Sequence, residues 1–378
     1  MIDFVNYFRA RQTETLAAIR ALVEQESPTL DAQATTALTT RLAEQFESLA
    51  ASTRLHRRET GAHLVARVAS GSSANDKPVM LLGHVDTVWP RGALERMPFR
   101  VEDGRAYGPG VFDMKANLVV MLEALAAIKE LKLTLSRPVK ILLSCDEESG
   151  SPTSRDLIEA EAAECAAALV FEPSLPGGAA KTARKGIADY QLTARGIAAH
   201  AGVDPDKGAS AIAELAHQIV ALHQLNDLPN GVSVNVGVTN GGTYSNVIAA
   251  EARARIDVRF RTMAQGEAVM SRIRALRPAL ADTSIELSGG LNRPPLERSP
   301  GVVALYEQAR RLAAELDFEL GEGSTGGGSD GNFTAALGIP TLDGLGVEGL
   351  GAHAAHEHIV IADLPRRAAL LVRLLVTL

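Results

Sequence analysis

Three short apolar runs in this chain each end in a cluster of acidic or imidazole side chains, and that coincidence restricts the possible fold more than any other feature. Residues 79–82 lead into Gly83-His84-Val85-Asp86-Thr87, residues 139–144 into Cys145-Asp146-Glu147-Glu148-Ser149-Gly150, and residues 167–171 into Glu172-Pro173. Apolar runs of this length, alternating with longer helical patterns, indicate strands of an α/β sheet. Leu118, Met121, Leu122 and Leu125 keep helical spacing and predict a helix over 115–131, between the first two runs. A further short strand is expected at 339–342, a closing helix at 364–378, and an amphipathic helix over the first 28 residues.

The pattern changes near Lys181. From there to about Ser288, residues 186–195 and 251–259 alternate apolar and polar positions, as strands of a sheet with one wet face do, and an amphipathic helix is expected over 209–225 between them. A chain of 378 residues suits two domains. The expectation is an α/β domain in two pieces, 1–180 and 289–378, with a central mixed sheet flanked by helices. Into it is inserted a smaller α+β domain, 181–288.

In an open α/β sheet, ligands gather beyond the carboxyl ends of the strands, so where the clusters fall matters as much as what they contain. A pair such as Glu147-Glu148 is usually a solvated surface pair. At the end of a buried strand it is costly, since like charges raise each other's pKa unless a cation intervenes. Zinc accepts both imidazole nitrogen and carboxylate oxygen, and two such ions sharing one carboxylate form a clamp used by hydrolases. His84, Asp113, Glu148 and Glu172 supply four of the five protein ligands that such a clamp needs. The fifth should be a second histidine, for which His353, His356 and His358 all stand as candidates.

Other classes fit poorly. A formal charge of −7 disfavours a nucleic-acid partner. Two cysteines, Cys145 and Cys165, cannot build the disulfide framework of a small secreted protein. No window approaches a membrane span, and the N-terminal stretch lacks the unbroken apolar region of a signal peptide, so a cytoplasmic location is expected. No Gly-x-Gly-x-x-Gly follows the first strand and no Gly-Lys-Ser/Thr follows Gly326-Gly327-Gly328, which argues against nucleotide-dependent chemistry.

These clusters fall in an ordered set with Gly108 through Lys115, Ala199-His200-Ala201-Gly202, Gly326-Gly327-Gly328-Ser329-Asp330 and Gly351-Ala352-His353. Taken together, over nearly the whole length, the chain resembles the zinc metallopeptidase family that includes bacterial glutamate carboxypeptidase, acetylornithine deacetylase, aminoacylase and succinyl-diaminopimelate desuccinylase. The resemblance implies two zinc ions per subunit, with cobalt or manganese as substitutes, bridged by Asp113. His84 and Glu172 would complete one ion's protein ligands, Glu148 and His353 the other's. His353 is chosen because the family's histidine precedes a Glu by four positions, as His353 precedes Glu357. Asp86 would orient the His84 imidazole. Glu147 would be the general base, taking a proton from the attacking water and passing it to the leaving nitrogen.

The same resemblance assigns the inserted domain the role of lid and dimerisation domain of a homodimer, with His200 reaching the partner's active site to stabilise the oxyanion. Asn246, Arg259 and Arg293 match positions that grip a substrate carboxylate, for which the planar guanidinium is suited. Backbone N–H groups of Gly327 and Gly328 could bind the same anion. Two departures stand out. Ala116-Asn117 replace a pair of glycines often found there, and Thr243-Tyr244 precede Ser245-Asn246 where several relatives differ. The expected function is a carboxypeptidase releasing C-terminal glutamate or a similar amino acid from a small peptide or N-acyl-amino-acid substrate. The alternative is an N-acyl-amino-acid deacylase. A non-catalytic dimeric binding protein of the same fold would show loss of the base or of a ligand, and here all are present.

Overall fold

The computed structural model describes residues 2–70 and 76–378. The chain divides into two compact units. The first takes the chain up to Ala183, then Arg298–Thr325 and Ser329–Leu378; the second is Arg184–Glu297 with Gly326–Gly328. The expected limits of the insertion, 181–288, fall short at the C-terminal side. Strand Ser284–Arg293 pairs with residues 187–195 of the neighbouring strand and carries the chain past residue 288 before it leaves the second unit.

The first unit is built on a six-stranded mixed sheet. Its strands lie in the order Ser52–Arg58, Gly61–Val68, Val139–Ser144, Val79–His84, Ala167–Val170, Thr341–Leu342. The last four are mutually parallel and the first two join antiparallel. Val79–His84, Val139–Ser144 and Ala167–Val170 are buried at every position. Alternate residues serve two cores: Leu81, Ile141, Leu143 and Leu169 pack into one, and Met80, Leu82, Leu142 and Ala168 into the other. Strands covered on both faces read as unbroken apolar runs, which is why they stood out in the sequence.

Lys140 is the exception within these runs. Its buried Nζ is satisfied by the backbone oxygen of Glu161 at 2.9 Å and by Glu164 Oε2 at 2.8 Å.

Helix Ala116–Glu130 connects Val79–His84 to its neighbour Val139–Ser144 and packs in the first core. Helix Arg155–Ala162 then returns the chain across the sheet to Ala167–Val170, with Ile158 and Ala162 in the second core. Because parallel crossovers keep one hand, this reversal sends the two helices to opposite faces. In sheets that reverse in this way, ligands gather beyond the carboxyl ends of the strands.

Two expected elements come out shorter. Only Thr341–Leu342 of 339–342 pairs as strand, since Pro340 has no N–H to donate. The N-terminal helix is split at Arg11 into Phe4–Ala10 and Gln12–Val23. Among the described residues, no helix is long and apolar enough to cross a membrane.

The second unit is a four-stranded antiparallel sheet in the order Ser233–Gly241, Glu251–Phe260, Gly186–Arg195, Ser284–Arg293. Ala188, Tyr190, Leu192 and Ala194 face one way with Ala254, Ile256 and Val258. Helices Ala211–His223 and Met263–Arg274 complete that core. Asp189, Arg195, Arg253 and Arg255 on the opposite face are exposed, as the alternating pattern requires.

Both cysteines are buried, and burial pushes the Cys145 thiol up to about 12 and that of Cys165 up to about 11. Since the thiolate is the reactive form, neither thiol will react with a disulfide reagent in the folded protein, and two will titrate after denaturation. A fast-reacting thiol under native conditions contradicts this packing.

Candidate metal centre

Because the central strands are parallel, their three clusters project from one edge of the sheet. His84 is the last residue of Val79–His84, Glu147 and Glu148 lie on the turn Glu147–Ser149 just after Val139–Ser144, and Glu172 follows Ala167–Val170. Asp113 arrives from Val111–Lys115, a kinked segment ahead of helix Ala116–Glu130 in which Asp113 and Met114 leave helical dihedrals. His353 comes from the loop after Gly349–Leu350.

His84 Nε2 lies 3.0 Å from Asp113 Oδ1 and 3.5 Å from Glu172 Oε1. His353 Nε2 lies 3.1 Å from Glu148 Oε1 and 3.4 Å from Asp113 Oδ2. Asp113 therefore offers one oxygen to each trio. Among the described residues these are the two groups whose donor atoms gather within 4.8 Å of one another. Nitrogen and oxygen ligands bonded tetrahedrally at zinc distances stand about 3.3 Å apart. The separations match the edges of such a shell, so the residues present fit two divalent ions sharing one carboxylate.

The electrostatics agree. Burial alone would lower the His84 pKa, yet hydrogen bonds to Asp113 and Asp86 raise it well above the ordinary value. His353, bonded to Asp113 and Glu148, is raised to about 10. Burial would raise Asp113, but the two imidazoles hold it below the usual carboxylate range. Burial dominates at Glu148, which is raised. A cluster this rich in carboxylates draws positive charge, first as protons on its imidazoles. A divalent cation supplies the same charge and displaces those protons on binding.

Asp86 has a wider role than its spacing from His84 suggested. The closest contact of His84 Nδ1, 2.9 Å, is to the backbone oxygen of Asp86, with the carboxylate at 3.4 Å. That carboxylate accepts hydrogen bonds from the N–H groups of Glu147 at 3.2 Å and Glu148 at 3.1 Å, and from Thr29 Oγ1 at 3.0 Å. One buried side chain thus fixes the acidic turn against the histidine. Asn117, standing where a glycine was expected, ties two further segments to the site. Its Oδ1 accepts from Val347 N–H at 2.9 Å and its Nδ2 donates to Phe112 O at 3.3 Å.

Of the three candidate histidines, His353 alone joins a trio. The His358 ring packs on Tyr107, with centroids 5.1 Å apart, and its Nδ1 lies 2.8 Å from His356 O.

The remaining candidates belong to the second unit. His200 and Asn246 lie on adjacent loops, with Ala201 N–H donating to Asn246 O at 2.9 Å, and both side chains are exposed. Arg259 and Arg293 both register opposite Ile187, one on each flanking strand. Arg293 is buried, whereas Arg259 is clamped by Asp257, its Nη2 donating at 2.7 Å. A Cβ at Gly328 would stand 2.8 Å from Arg293 Cδ and 2.7 Å from Ile187 Cδ1, so a side chain there would have to displace the arginine row or Ile187. Arg184, absent from the sequence-based set, donates from Nη1 to Gly328 O at 3.0 Å and Gly327 O at 3.3 Å.

The chain is similar over most of its length to known proteins. Residues 80–377 match the model of peptidase family M20/M25/M40. The chain is 32% identical over 323 residues to carboxypeptidase G2 of a Pseudomonas species, covering 84% of this chain and 77% of that protein. It is 29% identical over 315 residues to succinyl-diaminopimelate desuccinylase of Delftia acidovorans, covering 78% and 80%. Among solved structures, aminopeptidase PepT of Bacillus cereus superposes with a TM-score of 0.80 at 23% identity, covering 97% and 98%. A dinuclear metal-binding peptidase of Bacillus subtilis superposes at 0.71 and 16% identity, covering 97% and 98%.

Proposed function

The chain belongs to peptidase family M20/M25/M40, and from that premise we propose that it is a dinuclear zinc carboxypeptidase releasing C-terminal glutamate or a similar amino acid. The observation that carries the metal reading is the division of Asp113 between two trios, one oxygen toward His84 and Glu172, the other toward Glu148 and His353. Two zinc ions held there, or cobalt or manganese in their place, would polarise the scissile carbonyl and acidify a water. Glu147, half-buried and fixed through its N–H to Asp86, would accept the water's proton and return it to the leaving nitrogen.

Recognition of the leaving amino acid falls to the second unit. Arg293 and Arg259 in one row, with Asn246 and the N–H groups of Gly327 and Gly328, provide donors for a carboxylate. The likeness to carboxypeptidase G2 supports glutamate as the group released. This unit also serves as lid and dimerisation domain, with His200 acting on the partner's substrate. Its edge strand Ser233–Gly241 and the exposed Ile212 and Val220 of helix Ala211–His223 offer the surface for a second copy. An N-acyl-amino-acid deacylase is the second reading, favoured by the likeness to succinyl-diaminopimelate desuccinylase and by Asp257, which already occupies Arg259.

A panel of acyl-glutamates, dipeptides ending in glutamate, and N-acetyl and N-succinyl amino acids separates the two. The expected order places acyl-glutamates first in kcat/KM by at least about tenfold, the worth of one charge-assisted contact. An N-succinyl or N-acetyl substrate without a released glutamate at the top of the panel rejects the carboxypeptidase reading in favour of the deacylase.

A further inference from the structure

Glu357 is buried at 1% exposure, and its carboxylate belongs to neither trio. Its Oε1 accepts N–H bonds from Phe112 at 2.9 Å and Asp113 at 3.0 Å; its Oε2 accepts from Gly110 N–H at 2.9 Å and from Trp89 Nε1 at 2.7 Å. Three backbone N–H groups within residues 110–113 thus hang on one side chain. The backbone of Glu357 closes the other side. Its N–H donates to Ala354 O at 2.9 Å and its carbonyl accepts from Gly108 N–H at 3.4 Å. The loop it ends carries Gly351 at φ 82° and His353 at φ 63°, and His353 is half exposed.

We infer that Glu357 is a positioning residue that locks the Asp113 segment to the His353 loop, and that it sets the affinity of one ion of the pair, the one facing Asp113, Glu148 and His353. The inference rests on the metal reading above. Its selectivity comes from what else holds each trio. His84 and Glu172 leave the ends of buried strands, and Asp113 keeps further restraints from Lys115 N–H to Gly110 O at 2.9 Å and from Asn117 to Phe112 O. His353 is a left-handed, half-exposed residue on a loop that Glu357 ties to the Asp113 segment. Outer contacts of this kind typically change metal affinity ten- to a hundredfold.

The substitution Glu357→Gln keeps the shape but offers only one oxygen, so two of the four N–H donors face an amide NH2 and lose their acceptor. Metal-free wild type and variant are titrated with zinc by calorimetry, with elemental analysis of the loaded forms and thermal melts of the metal-free forms. Two ions are expected in wild type. In the variant the first should bind as before and the second at least about tenfold more weakly. Emission from Trp89, the chain's one tryptophan, should change with the substitution because its indole N–H bonds the same carboxylate.

Unchanged affinity for both ions overturns the inference, and so does equal weakening of both with a lowered melt, which marks a structural role only. If Glu357→Gln does not fold, Trp89→Phe removes one donor and leaves the carboxylate with three. Selective weakening of the second ion supports the inference there, and unaltered binding of both overturns it. A wild type that binds fewer than two ions fails differently, removing the dinuclear reading itself.

Discussion

Glu147→Gln will leave two ions bound while kcat falls at least about a hundredfold, the lower range for a positioned acid–base group. The substitution preserves side-chain length, and the N–H bond from residue 147 to Asp86 is a backbone contact that does not depend on the side chain. Glu148, next along the turn, keeps its contact with His353, so the trio facing the second ion is untouched. What disappears is the ability to accept a proton. Steady-state kinetics with metal analysis of the same sample distinguishes the roles. Wild-type turnover removes Glu147 from proton transfer, whereas loss of an ion would make it a ligand instead of a base.

The second large effect concerns His200. If it completes the partner's active site, subunits carrying Glu147→Gln and subunits carrying His200→Ala are each nearly inactive alone but restore one good site when paired. In that mixed dimer, the site with an intact Glu147 receives His200 from the other subunit. Random mixing should bring activity back to about a quarter of wild type, since half the dimers are mixed and each has one working site. The exposed position of His200, on a loop paired with that of Asn246, suits a group acting beyond its own chain. Differently tagged subunits and tandem purification give the measurement. Verified mixed dimers with no regained turnover put His200 out of the partner's reaction.

The parts legible in the sequence share a physical cause. Val79–His84 and Val139–Ser144 are covered on both faces, so composition alone marked them, and their ends pointed to His84, Glu147 and Glu148. Glu172 was legible for the same reason at the end of Ala167–Val170. Local pattern left three histidines near the C-terminus open, because the loop's turns at Gly351 and His353 decide which one faces Glu148. Strand Ser233–Gly241 escaped notice since most of its residues are exposed at a sheet edge, and Ser284–Arg293 because Gly289 and Gly290 interrupt its alternation. The double duty of Asp86 and the hold of Arg184 on the glycine loop depend on tertiary contacts between distant segments. No spacing rule encodes them.

The trios draw on residues from position 84 to position 353, with most of the second unit, Arg184–Glu297, spliced between Ala183 and Arg298. During synthesis, His84, Asp113 and Glu172 emerge long before His353, so a nascent chain carries one trio complete and the other lacking its imidazole. Full loading must wait for the last loop to dock. Two ions held as proposed would therefore both be seated only once that loop has docked.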